Sequence, residues 1–128
     1  MKTILLTLVC MAALSLCGIA AETPAKSGKL QHVVILKFKK GADAEEIRKV
    51  ETAFRDLKNK IPQIAALEWG TNVSPEKHDK GYTHCFVVTF KSEKDRDAYL
   101  PHPEHKNFGK VLMPVLEDVL VIDFWAQD

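Results

Sequence analysis

Along residues 30–38, LQHVVILKF, the side chains sort with the two-residue period of a strand. His32, Val34, Leu36 and Phe38 share one face, and Gln31, Val33, Ile35 and Lys37 the other. Both faces are apolar at their centre. Gly41 breaks the strand, and Asp43 with Glu46 three residues on has the spacing of a capping box. Ile47, Val50, Phe54, Leu57 and Ile61 then recur at helical spacing, with Arg48, Lys49, Glu51, Arg55, Asp56 and Lys58 on the other side, up to a stop near Pro62. ALEWGTNV reads as a second strand and SPEKHDKG as a polar turn. In YTHCFVVTF, Tyr82, His84, Phe86, Val88 and Phe90 alternate with Thr83, Cys85, Val87 and Thr89, giving a third strand. Ser92 and Asp95 open a short helix that Pro101 and Pro103 stop after Leu100. NFGKVLMPVLE is partly helical with a break near Pro114. DVLVIDFWA closes the series as a strand with Val119, Val121, Asp123 and Trp125 on one face and Leu120, Ile122 and Phe124 on the other.

The order βαββαβ is that of a ferredoxin-like α+β fold. Its two helices cover one sheet face. The opposite face carries Val33, Ile35, Val87, Leu120 and Ile122, more apolar surface than a soluble monomer usually shows to water. Burying each such side chain is worth about 1.5–3 kcal/mol. A second copy laid sheet against sheet is the simplest cover, which predicts a two-fold homodimer.

Length changes the picture little, since 128 residues suffice for one core. The N-terminus changes it more. Lys2, an apolar run from Ile4 to Leu16, and small Gly18 and Ala20 have the form of an export signal over residues 1–20, followed by a flexible polar lead over 21–29 and a domain over 30–126. The apolar run is short for an uncleaved anchor, and Leu16 is large for a lipoprotein signal ending at Cys17. The expected mature protein is exported, periplasmic or secreted, without a membrane span. The chain has 18 basic and 17 acidic residues, and loss of Lys2 balances them, so charge gives no reason to expect nucleic acid as partner. Cys10 and Cys17 leave with the signal, and Cys85 is then without an internal partner.

The chemistry concentrates in histidines. In AYLPHPEHKNF, His102 and His105 have a chelating spacing, but zinc needs a third protein ligand and none lies nearby in sequence, so no metal is expected. His84 and Cys85 point to opposite faces and make no dyad. His32, His84 and Asp123 all fall on the helix-facing layer, where a polar group must find a partner. The segment with Tyr99, His102 and His105 closes over the same layer as a stiff lid, giving a candidate pocket. The bland reading stands beside it: His32 and His84 as satisfied core histidines, His102 as a loop residue, His78 as a solvated one.

HVVILKF, the helix ending Ile61-Pro62, EWGTN, GYTHCFVVTF, AYLPHPEH and VIDF, in this order, resemble the stress-responsive A/B barrel domain (Dabb) family from about His32 to Phe124. The resemblance implies a dimeric α/β barrel built from ferredoxin-like subunits. It also implies kinship with a plant cyclase that closes a polyketide ring by intramolecular aldol condensation without metal or organic cofactor. By its Y-x-x-H-P-x-H motif, acid/base roles fall on Tyr99 and His105, and pocket positions on His32 and His84. Asp123, if it reaches His105, would fix that ring's tautomer. Where the plant cyclase has paired aromatics on the first helix, this chain has Val50-Glu51. Two functions follow as expectations: an exported dimer performing cofactor-free chemistry on a carbonyl compound, or a non-catalytic binding or assembly module of a stress response.

Overall fold

The computed structural model describes residues 28–127. The expected export signal and nearly all of the lead lie outside them. Strand β1 (Leu30–Phe38) is followed by α1 (Ala44–Lys60), β2 (Ala66–Thr71), β3 (His84–Phe90), α2 (Glu93–Tyr99), α3 (Pro103–Leu112) and β4 (Leu116–Trp125). The strands form one sheet in the order β2-β3-β1-β4 with antiparallel neighbours. This is the ferredoxin-like arrangement, with one difference: the helical stretch expected in NFGKVLMPVLE starts earlier, at Pro103, and takes in the segment read as a lid.

That difference has a local cause. Proline ends a helix from its interior but is favoured in the first turn, where its missing N–H has no acceptor to lose. Pro103 takes that position in α3, and the His102 side chain caps it by accepting from the Glu104 N–H at 3.1 Å. The capping residues of α1 and α2 match the sequence pattern: Asp43 accepts from the Glu45 N–H and Ser92 from the Asp95 N–H.

Packing follows the periodicities. Val50, Phe54, Leu57 and Ile61 of the α1 stripe are buried against Leu30, Val34, Leu36, Phe86, Val88 and Phe90 of the sheet. Phe54 stacks on Phe86 with ring centroids 3.9 Å apart, and Phe108 meets Phe54 edge-on at 4.8 Å. The centre of the helix–sheet layer is therefore solid, and its polar groups lie toward the two ends.

β4 departs from expectation. Val119 and Val121 were assigned to the helix-covered side, yet they are exposed like Leu120, Ile122 and Phe124 on the other side. β4 is an edge strand, and the helices lie over the middle of the sheet. The bare apolar surface thus wraps around the β4 edge. No described helix is long and apolar enough to cross a membrane.

Candidate active site

In the antiparallel register His32 on β1 faces Asp123 on β4. His32 Nδ1–H donates to Asp123 Oδ1 at 2.6 Å, while Arg96 of α2 donates to Asp123 Oδ2 at 3.2 Å. A carboxylate only accepts, so Nδ1 carries the proton, and in the neutral ring Nε2 keeps the lone pair. His32 is buried; its ring stands edge-on to Tyr99 at 5.7 Å and near Phe90 at 6.2 Å.

Tyr99 ends α2, fully buried, with its ring 4.4 Å from that of His105 and 5.1 Å from Phe90. Its hydroxyl is buried and has no hydrogen-bond partner. Burial pushes the phenol well above its ordinary pKa, so Tyr99 is a hydrogen-bond donor throughout the physiological range, not a base. His105 stands in the first turn of α3. Its Nδ1–H donates to the Leu100 carbonyl at 2.9 Å, leaving Nε2 as the lone-pair nitrogen.

The structure thus brings together four of the five sequence-predicted residues: Tyr99, His105, His32 and Asp123. One expected link is corrected. Asp123 does not orient His105, because strand register sets it opposite His32; a backbone carbonyl, that of Leu100, orients His105 instead.

The fifth residue, His84, lies elsewhere. It faces Leu36 in the register while His32 faces Val88, four residues along β3, or about 13 Å at strand rise. His84 is buried with Phe38 edge-on at 5.0 Å and Trp69 nearly parallel at 6.2 Å. Its Nε2–H donates to Glu51 Oε1 of α1 at 2.8 Å, and Thr83 Oγ1–H donates to its Nδ1 at 2.8 Å. The helical pattern placed Glu51 on the outer side. In the fold it borders the buried stripe next to Val50 and reaches inward, and a carboxylate beside two apolar core positions was the only sequence signal for that.

A cavity of about 570 Å³ opens beneath the β2–β3 loop, lined by Ile35, Asn72, Thr83, His84, Cys85 and Leu120 among others; neither Tyr99 nor His105 is in its wall. Burial raises the Cys85 pKa, which suits a small apolar filler more than a nucleophile. Among the described residues no three His, Cys, Asp or Glu side chains are grouped to hold a metal ion.

A four-stranded antiparallel sheet under three helices, with imidazoles turned into the layer between, defines a ferredoxin-like α+β protein. Within that class the chain belongs to the stress-responsive A/B barrel family, whose domain matches residues 30–126. It is 37% identical over 97 residues to the stress-response A/B barrel domain-containing protein HS1 of Arabidopsis thaliana, covering 76% of this chain and 89% of that relative. It is 32% identical over 95 residues to olivetolic acid cyclase of Cannabis sativa, covering 74% of this chain and 94% of the cyclase. A dimeric ferredoxin-like protein from Jannaschia sp. superposes with a TM-score of 0.67 at 25% identity, over 77% of this chain and all of that one.

Proposed function

We propose that the chain forms a homodimer through its sheet face and β4 edge, and that the Tyr99 end of each subunit performs cofactor-free proton transfer on a small carbonyl compound. The observation that carries this reading is the Tyr99 hydroxyl, a buried donor without an acceptor, set beside His105 and His32. An unsatisfied buried polar group costs about 1–3 kcal/mol. A ligand oxygen is the acceptor that removes this cost, and the Tyr99 hydroxyl then supports negative charge as it develops there. His105, with Nε2 free and Nδ1 anchored, accepts the proton from the carbon next to the carbonyl. The similarity to olivetolic acid cyclase supports the same assignment, as do the places of Tyr99 and His105 in the Y-x-x-H-P-x-H motif of this chain. Because Tyr99 is sealed from solvent, entry requires the α2–α3 corner around Leu100 to swing outward.

The dimer rests on the exposed run Val119–Ile122 with Phe124, on Val33, Ile35 and Val87 beside it, and on dimeric neighbours of the same fold. A ten-residue edge strand with five exposed apolar side chains, left open, would invite aggregation. Export is proposed on the N-terminal sequence alone, with Lys2, the apolar run and the small residues Gly18 and Ala20, and N-terminal sequencing of the mature protein checks it.

A panel of methyl ketones and aldehydes in D2O, followed by NMR, tests the chemistry. Wild type is expected to speed deuterium entry at the α-carbon, and folded Tyr99→Phe and His105→Ala to lose that acceleration. Equal exchange with both variants, or none across the panel, removes the pair from any mechanism. The second reading, a binding or assembly module without turnover, is favoured by the Phe54–Phe86 stack that fills the middle of the layer. It predicts dimerisation and no exchange.

A further inference from the structure

The His84 end holds chemistry that the Tyr99 site does not use. Two hydrogen bonds fix its polarity in the neutral ring. Glu51, an acceptor, takes the Nε2–H of His84; Nδ1 therefore accepts from the Thr83 hydroxyl, and Thr83 Oγ1 turns its lone pairs outward. Thr83 and His84 are both in the wall of the 570 Å³ cavity. Such a volume lies within the range of about 300–1,000 Å³ typical of small-molecule sites. Its floor is apolar, from Ile35, Cys85 and Leu120. Its rim is polar, with Asn72, His78 and Lys80. Asn72 Oδ1 is occupied by the Ser74 N–H, so its amide N–H groups are the part left to offer. Asp79 is held by the Gly81 N–H, and neither Lys80 nor His78 has an ion-pair partner among the described residues. The loop is pinned at its base by the Asn72 N–H to Thr83 carbonyl bond at 2.8 Å.

We propose that Glu51, His84 and Thr83 form a second proton-accepting site serving this cavity, and that the cavity takes a small apolar molecule bearing a hydroxyl, a phenol or an alcohol. The ligand O–H gives its proton to Thr83 Oγ1 as the Thr83 proton passes to His84 Nδ1. The resulting imidazolium is held against the Glu51 carboxylate, and the ligand oxyanion faces Lys80 and His78. Thr83 is the group that touches the ligand; His84 and Glu51 act through it. No bond to carbon changes and no electron is transferred. Ile35, Cys85 and Leu120 of the floor, and Thr83 beside them, lie on the sheet face assigned to the second copy, so the proposal rests on the dimer reading for what roofs the cavity and requires a second copy that closes over it without filling it.

The test is an absorbance titration of the protein with 2-naphthol at pH 7, since the naphtholate absorbs at longer wavelength than the naphthol. Sedimentation of the same sample reports the dimer separately. Saturable binding is expected, with a naphtholate fraction several-fold above that of free dye in the same buffer. Glu51→Gln and Thr83→Val, both close in shape to the residues they replace, should still bind but return that fraction to the free-dye value. Tyr99→Phe and His105→Ala should leave the naphtholate signal unchanged. Absence of saturable binding, a naphtholate signal indifferent to Glu51→Gln, or its loss in Tyr99→Phe would overturn the proposal, whether or not the protein sediments as a dimer.

Discussion

At one end of the helix–sheet layer, His32 and His105 each commit Nδ1 to an oxygen acceptor and keep Nε2 free around a phenol that has no partner. At the other end, both nitrogens of His84 are bonded, to Glu51 and Thr83, and the ring is closed in by Phe38 and Trp69. The two tyrosines repeat the contrast. Tyr82, near the His84 end, donates to Asp118 at 2.5 Å, whereas Tyr99 donates to nothing. A folded chain rarely leaves a buried donor bare, and at the Tyr99 end one is left without a partner among the described residues. The His84 end is complete inside and leaves its open valence at Thr83, on a cavity wall.

The widest break in this comparison comes from removing the wall between the ends. Phe54→Ala deletes the ring stacked on Phe86 and should cost about 3–5 kcal/mol in urea unfolding. Glu51→Leu strips the acceptor from a buried imidazole N–H and should cost about 1–3 kcal/mol.

Alkaline unfolding separates the tyrosines next. The folded chain holds the Tyr99 proton above the pH at which an unfolded tyrosine releases it, so its contribution is fully present below about pH 10 and is lost as pH rises toward the folded value. The loss amounts to at most about 1.4 kcal/mol per pH unit, and it should be absent from Tyr99→Phe. The smallest effect lies on the acid side. Asp118 is held below the ordinary carboxylate range, first by the Tyr82 hydroxyl and then by the Val119 N–H. Its contribution is therefore present above about pH 4 and is lost as pH falls through the folded value. Tyr82→Phe should raise the Asp118 midpoint in an NMR titration, with little change in unfolding.

Much of this was legible in the residues. Alternation in β1 and β3 put His32 and His84 on the same face as the core valines and phenylalanines, and the α1 stripe gave its covering helix. Asp123 could be placed on the matching face of β4, but its partner depends on register, which pairs it with His32 instead of His105. Pro103 carries two opposite meanings, helix stop and first-turn residue, and only the fold selects the second. Glu51 looked like one more surface charge because helix periodicity does not say how far a boundary side chain can reach inward. Val119 and Val121 had the pattern of covered positions, and it is the edge location of β4 that exposes them.

The unfolding free energy of Tyr99→Phe at pH 7, measured against wild type, tests the bare-donor account most directly. If the hydroxyl is kept for a ligand, its removal leaves the empty protein as stable as wild type or more stable by about 1 kcal/mol. A loss of stability of that size would show that the phenol is already satisfied within the fold, and the Tyr99 end would then be core and not site.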